Sequence, residues 1–220
     1  MIFTNKLTAR VEYAMGNDET IARMARVSTG ADLQDQTRVN GLINYLWKSG
    51  HTSPFSHPHV TFYIEAPLFV ARQIMRHRTG NYSEVSLRYS EAEPKFYIPD
   101  DQRPLKNAGS SAHPDLQHDD AIEYDPVRLA HEYVAEHAWD EYESMVESGV
   151  ANEVARNVLP VTTYTRFYMT MSLSNWFKFL ELRDGKAGHP QYEIVQIAEK
   201  ITDELRELYP LATAAFEENR

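Results

Sequence analysis

Apolar residues recur at helical spacing over about 36–48, where Val39, Leu42, Ile43, Leu46 and Trp47 define one face. An earlier helix is predicted over 18–27, with Asp18 and Glu19 in its first turn, where the helix dipole favours negative charge. The chain turns at Ser49-Gly50, and the period then changes. From 59 to 65 apolar and polar residues alternate, which sets Val60, Phe62 and Ile64 on one side of a strand. Pro67 suits the first turn of a following helix, 68 to about 77, because a residue there has no helical use for its N–H. A long helix is predicted from Pro126 to about 148, with Leu129, Tyr133, Val134, His137 and Tyr142 inward and Gly149 as its stop. A short helix over 151–158 ends before Pro160. The run 161–173, rich in Thr, Tyr, Phe and Met, predicts a strand, and Ser174 a cap for a helix to about Arg183. A loop over 185–190 precedes a last helix, about 191–208.

Between these elements, 89–98 holds a short extended segment closed by Pro99-Asp100-Asp101. Residues 100–124 are rich in Asp, His, Ser, Gly and Pro without apolar period, and predict a surface insertion rather than a linker. The sum is an α+β fold, helices packed around a small central β-sheet, in a single domain over 1–220. No internal repeat or heptad appears. Nor is there a glycine-rich fingerprint of the Rossmann type, so any dinucleotide must be held by another route.

The formal net charge of −10 argues against general nucleic-acid binding, which needs a basic footprint. With no cysteine, disulfides, thiolate metal sites and thiol nucleophiles are excluded. Residues 1–6 lack the apolar core of a signal peptide, and no window approaches a membrane span. The expectation is a cytoplasmic enzyme with no membrane partner.

One stretch concentrates positive charge. Residues 76–89 read Arg-His-Arg-Thr-Gly-Asn-Tyr-Ser-Glu-Val-Ser-Leu-Arg-Tyr, directly after a run apolar enough to be buried. Guanidinium groups at Arg76, Arg78 and Arg88 can make forked, charge-assisted hydrogen bonds to phosphate, and Ser86 with backbone N–H groups can complete a cradle. A nucleotide monophosphate or a dinucleotide fits that chemistry; a solvated helix end with ion pairs to Glu84 or Glu91 is the plainer alternative. Ser86 could in principle act as a nucleophile, but no activating base lies nearby in sequence. His57 and His59, two apart on a strand, share a face and with His51 raise a metal site. The lack of a suitably placed carboxylate speaks against it, so no metal is expected.

Arg76-His77-Arg78, seven residues, then Ser86 resembles the signature of the flavin-dependent thymidylate synthases. The likeness continues in order through residues 50–55 (Gly-His-Thr-Ser-Pro-Phe), Ala155-Arg156 before Leu159-Pro160, and residues 179–183 (Phe-Leu-Glu-Leu-Arg). It covers nearly the whole chain, and four ordered blocks are far more specific than one motif.

The resemblance implies FAD as cofactor, NADPH and methylenetetrahydrofolate as co-substrates, and reductive methylation of dUMP to dTMP. It implies a homotetramer with active sites shared between subunits. His51, Ser53, Arg76, His77, Arg78 and Glu84 would contact the flavin, with further contacts at Ser172, Leu173, Ser174, Lys178 and His189. Gln73, Ile74, Met75, Arg76, Glu84, Val85, Ser86, Leu87, Arg88 and Arg156 would line the dUMP site, Arg156 from a neighbouring subunit. Arg183 is the catalytic candidate: a guanidinium against the pyrimidine edge can stabilise charge developing at N3 and its adjacent carbonyl. Without the resemblance, Arg156 reads as a helical surface residue and Arg183 as a C-terminal arginine complementing its helix dipole. The chain departs from the family pattern at Ser56, Ser172, Ser174 and Lys178, and the loop before His189 is longer. A non-catalytic nucleotide-binding protein of the same fold is the rival reading, and a histidine-metal hydrolase the third.

Overall fold

The computed structural model describes residues 1–30, 38–111, 113–186 and 188–220. Gln36 and Thr37, the expected start of the second helix, lie outside them, as does Ala187 of the loop over 185–190. In chain order the elements are β1 (Ile2–Thr4), β2 (Thr8–Met15), α1 (Asp18–Arg26), α2 (Val39–Lys48), β3 (His59–Pro67), α3 (Leu68–Ile74), β4 (Asn81–Glu84), β5 (Lys95–Tyr97), β6 (Lys106–Asn107), β7 (Leu116–Gln117), α4 (Tyr124–Glu147), α5 (Asn152–Ala155), β8 (Tyr164–Ser172), α6 (Leu173–Arg183), α7 (Tyr192–Leu208) and α8 (Pro210–Glu218). Helix and sheet are mixed, as expected for an α+β fold. The chain divides into two compact units: residues 1–7, 65–74 and 84–167 form the first, and 8–64, 75–83 and 168–220 the second.

The second unit is built on a four-stranded sheet of order β2-β3-β8-β4. The alternation in β3 works as predicted: Val60, Phe62 and Ile64 are fully buried. From β8, Met169 and Met171 are buried, and α6 adds Trp176, Phe177, Phe179 and Leu180. The α7 stripe Ile194, Ile197, Ala198, Ile201 and Leu205 follows helical spacing and is wholly buried. Phe177 and Phe216 stack with centroids 4.6 Å apart, and Trp47 meets Phe55 and Phe177 edge-on at 5.2 and 5.1 Å. Helix α8, absent from the sequence reading, starts at Pro210 in its first turn. The Asp18 carboxylate caps it from α1, accepting the N–H groups of Leu211 (2.8 Å) and Ala212 (3.0 Å).

In the first unit β1 and β5 pair in parallel, with Phe3 opposite Phe96. The inner face of α4 differs from the expectation. Tyr142 is buried, and its Oη accepts the Ala92 N–H at 2.8 Å within a cluster of Ala92, Ala155, Leu87, Trp139 and Met145. Leu129, Tyr133 and Val134, however, are 54, 61 and 54 % exposed, and His137 is exposed too. The buried stripe runs through Ala135, Trp139 and Tyr142, and the other apolar residues stand roughly a quarter-turn or more around the helix. Within 100–124, β6 and β7 form a two-stranded antiparallel hairpin, tied by a Lys106–Asp119 ion pair, where no regular structure was expected.

Candidate active site

Arg183 and His77 meet in the second unit. Helix α6 is fixed at its start by the Leu173 N–H donating to Pro58 O (2.9 Å) and by Trp176 Nε1–H donating to Val60 O (3.1 Å). Two turns on, buried Phe179 packs its ring against His77, centroids 4.7 Å apart. One further turn places Arg183 so that its Nε–H donates to His77 Nε2 at 3.1 Å. The expected helix 68–77 stops at Ile74, so Met75, Arg76 and His77 leave it in tight turns. There Gly80 N–H and Tyr82 Oη both donate to His77 O, at 3.0 and 2.8 Å. A Cβ on Gly80 would lie 3.0 Å from Tyr82 Oη and 3.1 Å from Met169 Cε, which favours glycine at this close approach.

The electrostatics follow from the geometry. Burial, then the adjacent Arg183 charge, pushes the His77 imidazole down to about 4, so the ring is neutral at pH 7. Burial also lowers Arg183, and its Nη groups have no partner among the described residues. Arg76 and Arg78 are exposed and form no ion pair among the described residues, leaving two cations for an anionic ligand.

Three of the departing positions come together. Ser56 Oγ lies 2.8 Å from Ser174 Oγ, which lies 3.1 Å from Ser172 Oγ. Ser172, not Ser174, is the residue before α6, and its hydroxyl does not cap the helix. The first-turn amides of α6 therefore have no side-chain cap, and an anion such as a diphosphate suits such amides. Leu173 is fully buried, and its N–H is already taken by Pro58 O. His51 and Ser53 are exposed, as are Lys178 and His189. His59 Nδ1 is 2.9 Å from His57 O, and among the described residues no group of three His, Cys, Asp or Glu side chains could hold a metal ion.

The first unit holds most of the residues expected on the nucleotide side, while Met75, Arg76 and Arg183 belong to the second. Thr165 Oγ1 donates to Glu84 Oε1 at 2.7 Å, and Val85 N–H to Arg166 O at 3.0 Å, which sets the run against β8. Ser86 O then accepts the N–H groups of Tyr89 and Ser90 (3.0 and 3.2 Å), turning the chain so that Arg88 Nε–H reaches Glu153 Oε2 at 2.9 Å. Glu153 lies one helical turn before Arg156, so the turn at 86–90 and Arg156 share a neighbourhood. Val85 and Leu87 line a shallow, solvent-open cleft whose other walls include Glu65, Glu91, Glu93 and Arg166. Glu65 is paired with Lys95 and Glu93 with Arg166, so the lining offers phosphate no free cation, and Ser86, Arg88 and Arg156 are the members suited to it. Gln73 sits at the end of α3 beside the buried Ile74. Sequence reasoning missed the supporting residues Glu153, Thr165, Tyr82 and Phe179, none of which carries a signal without knowledge of its partner.

The sequence profile of the family described as "Thymidylate synthase complementing protein" matches residues 10–211. A flavin-dependent thymidylate synthase of Thermotoga neapolitana is 41 % identical over 202 residues, covering 92 % of this chain and 87 % of that protein. The corresponding protein of Thermosipho africanus is 39 % identical, covering 94 % and 89 %. Among solved structures, a UMP/dUMP methylase, PolB from Streptomyces cacaoi bound with 5-Br dUMP, superposes with a TM-score of 0.89 at 36 % identity, over 99 % of this chain and 97 % of that one.

Proposed function

Because the chain belongs to the flavin-dependent thymidylate synthase family, we propose that it converts dUMP to dTMP, with methylenetetrahydrofolate as carbon donor and NADPH as reductant. The observation that carries the reading is Arg183: a partly buried guanidinium, held at Nε by a neutral ring, with its Nη groups uncommitted among the described residues. Directed at the pyrimidine edge, that charge stabilises the electron density that builds at N3 and its carbonyl as the ring reacts. No protein nucleophile is required, and the chain has no cysteine to provide one.

FAD, when bound, would supply the redox chemistry that links NADPH to the pyrimidine. Arg76 and Arg78 would meet its diphosphate, aided by the first-turn amide of Ser174; His77, His51, Ser53, Glu84, Ser172, Leu173, Lys178 and His189 are the other residues we assign to it. The remaining groups hold the acceptor. Ser86, Arg88 and Arg156 would take the phosphate in the first unit, where Gln73, Ile74, Glu84, Val85 and Leu87 are also assigned to the acceptor; Met75 and Arg76 are its residues in the second unit. Their function is placement, which turns an encounter into a unimolecular step. Exposed Leu129, Tyr133 and Val134 on α4 support a homotetramer, because an apolar stripe of this kind is stable when another copy covers it. Among the described residues no helix is long and apolar enough to cross a membrane, and we place the enzyme in the cytoplasm, as one catalytic domain over 1–220.

Anaerobic dTMP formation from dUMP, methylenetetrahydrofolate, NADPH and FAD, with each component omitted in turn, tests the reading. Product that depends on all four upholds it. Binding of dUMP without flavin or product would favour the non-catalytic alternative, and UMP belongs in the panel because PolB is described as a methylase of both nucleotides.

A further inference from the structure

We propose that His77 is a positioning residue for Arg183: its imidazole accepts the guanidinium Nε–H and fixes the orientation in which Arg183 meets the pyrimidine. The inference rests on the catalytic role proposed above for Arg183, and gives His77 a task separate from any contact with the flavin.

The direction of the bond is set by chemistry. Arginine has five N–H donors and no acceptor, so the 3.1 Å contact requires a lone pair on His77 Nε2. The ring must therefore be neutral, with its hydrogen on Nδ1. An imidazolium would set two donors against each other and two positive charges side by side. The surroundings enforce the neutral form. Arg183 and Phe179 face the ring from α6, Tyr82 donates from β4 to its backbone carbonyl, and Arg76 and Arg78 flank it in sequence. Every charged member of that set is cationic, and burial acts in the same direction.

The choice of histidine has a consequence for the reaction. A guanidinium is planar, so engaging Nε–H fixes its plane while leaving both Nη groups for a ligand. An aspartate or glutamate there would orient the group equally well, yet would cancel the charge the pyrimidine needs. A neutral acceptor orients Arg183 without discharging it. Helix α6 supplies both parts, since Phe179 backs the ring and Arg183, one turn later, donates to it.

The test uses the full chain as purified, with ¹⁵N-labelled histidine and H77Q to assign the resonance. Two-bond proton–nitrogen spectra should show the Nδ1–H tautomer, with no protonation between pH 7 and 5, and R183A should raise the titration midpoint. In turnover, H77A should lower kcat about ten- to a hundredfold, as expected for losing a hydrogen bond to a charged group, with a smaller change in KM for dUMP. H77Q, whose amide oxygen can accept, should recover most of that rate. An Nε2–H tautomer, an ordinary titration near 6.5, or H77Q as slow as H77A with flavin still bound would each overturn the proposal. If both variants merely lose flavin, His77 serves the cofactor alone and the proposal fails. Should the unaltered protein form no dTMP, the synthase reading falls, and the ring tautomer alone upholds or overturns the contact.

Discussion

The arginine of the first unit's candidate group and that of the second are held in opposite ways. Arg88 is half exposed and paired with an equally exposed Glu153, an ion pair that is cheap to open. Arg183 is partly buried and leans on a neutral ring, with no carboxylate against it among the described residues. A charge that must capture a phosphate from solution can be balanced until the ligand arrives, because the ligand displaces the partner. A charge that must act on a reacting ring is more effective when oriented in advance and left uncompensated.

Removing the uncompensated charge should have the largest effect. Arg183→Ala is expected to lower kcat for dTMP formation about a hundred- to a thousandfold while flavin stays bound; unchanged turnover would refute the assigned role. Arg88→Ala should act on capture instead, raising KM for dUMP about ten- to a hundredfold with a smaller change in kcat. If the two variants show the same split between kcat and KM, the contrast between the groups is wrong.

The pH dependence separates them further. His77 is near 6.5 when unfolded and about 4 when folded, so the unfolded chain takes up its proton first as pH falls. The stability gained from keeping the ring neutral is intact above about 6.5 and is lost progressively down to about 4. Urea midpoints measured at pH 7 and pH 5 should therefore fall more for the unaltered protein than for H77Q, whereas equal losses would mean that the ring is not desolvated. The smallest effect sharpens the other side. Glu153→Gln removes the carboxylate that competes with phosphate, and should lower KM for dUMP only about two- to threefold, the scale of an exposed ion pair.

Most of the secondary structure could be read from the sequence wherever the period was strong, as in β3, α2 and α7. Strand β4 could not, because Asn81, Tyr82, Ser83 and Glu84 are polar and their strand character comes from pairing beside β8. The inner face of α4 was misread because apolar residues occupy more than one side of that helix, and burial picks only one. For the site, the arginines and His77 stood out by type and spacing. Their partners did not: Glu153 and Thr165 become meaningful only when folding brings them 65 and 81 residues along the chain to Arg88 and Glu84. The hydroxyl chain of Ser56, Ser174 and Ser172 is the same case, three apparently separate departures that the fold links through two contacts.

Asp18 carries a consequence for how the chain reaches this state. Its carboxylate is buried and satisfied by the amides of Leu211 and Ala212, a closure spanning 193 and 194 residues. Until those amides arrive, ionised Asp18 has no such partners in the interior, and burial alone would drive it toward its protonated form. In the second unit the contact that ties α1 to the start of α8 therefore cannot form until residue 212 has been made. Synthesis through residue 212 precedes the contact that locks α1, and a chain stalled before that point would leave the face of α2 that α8 covers open to any chaperone or protease nearby.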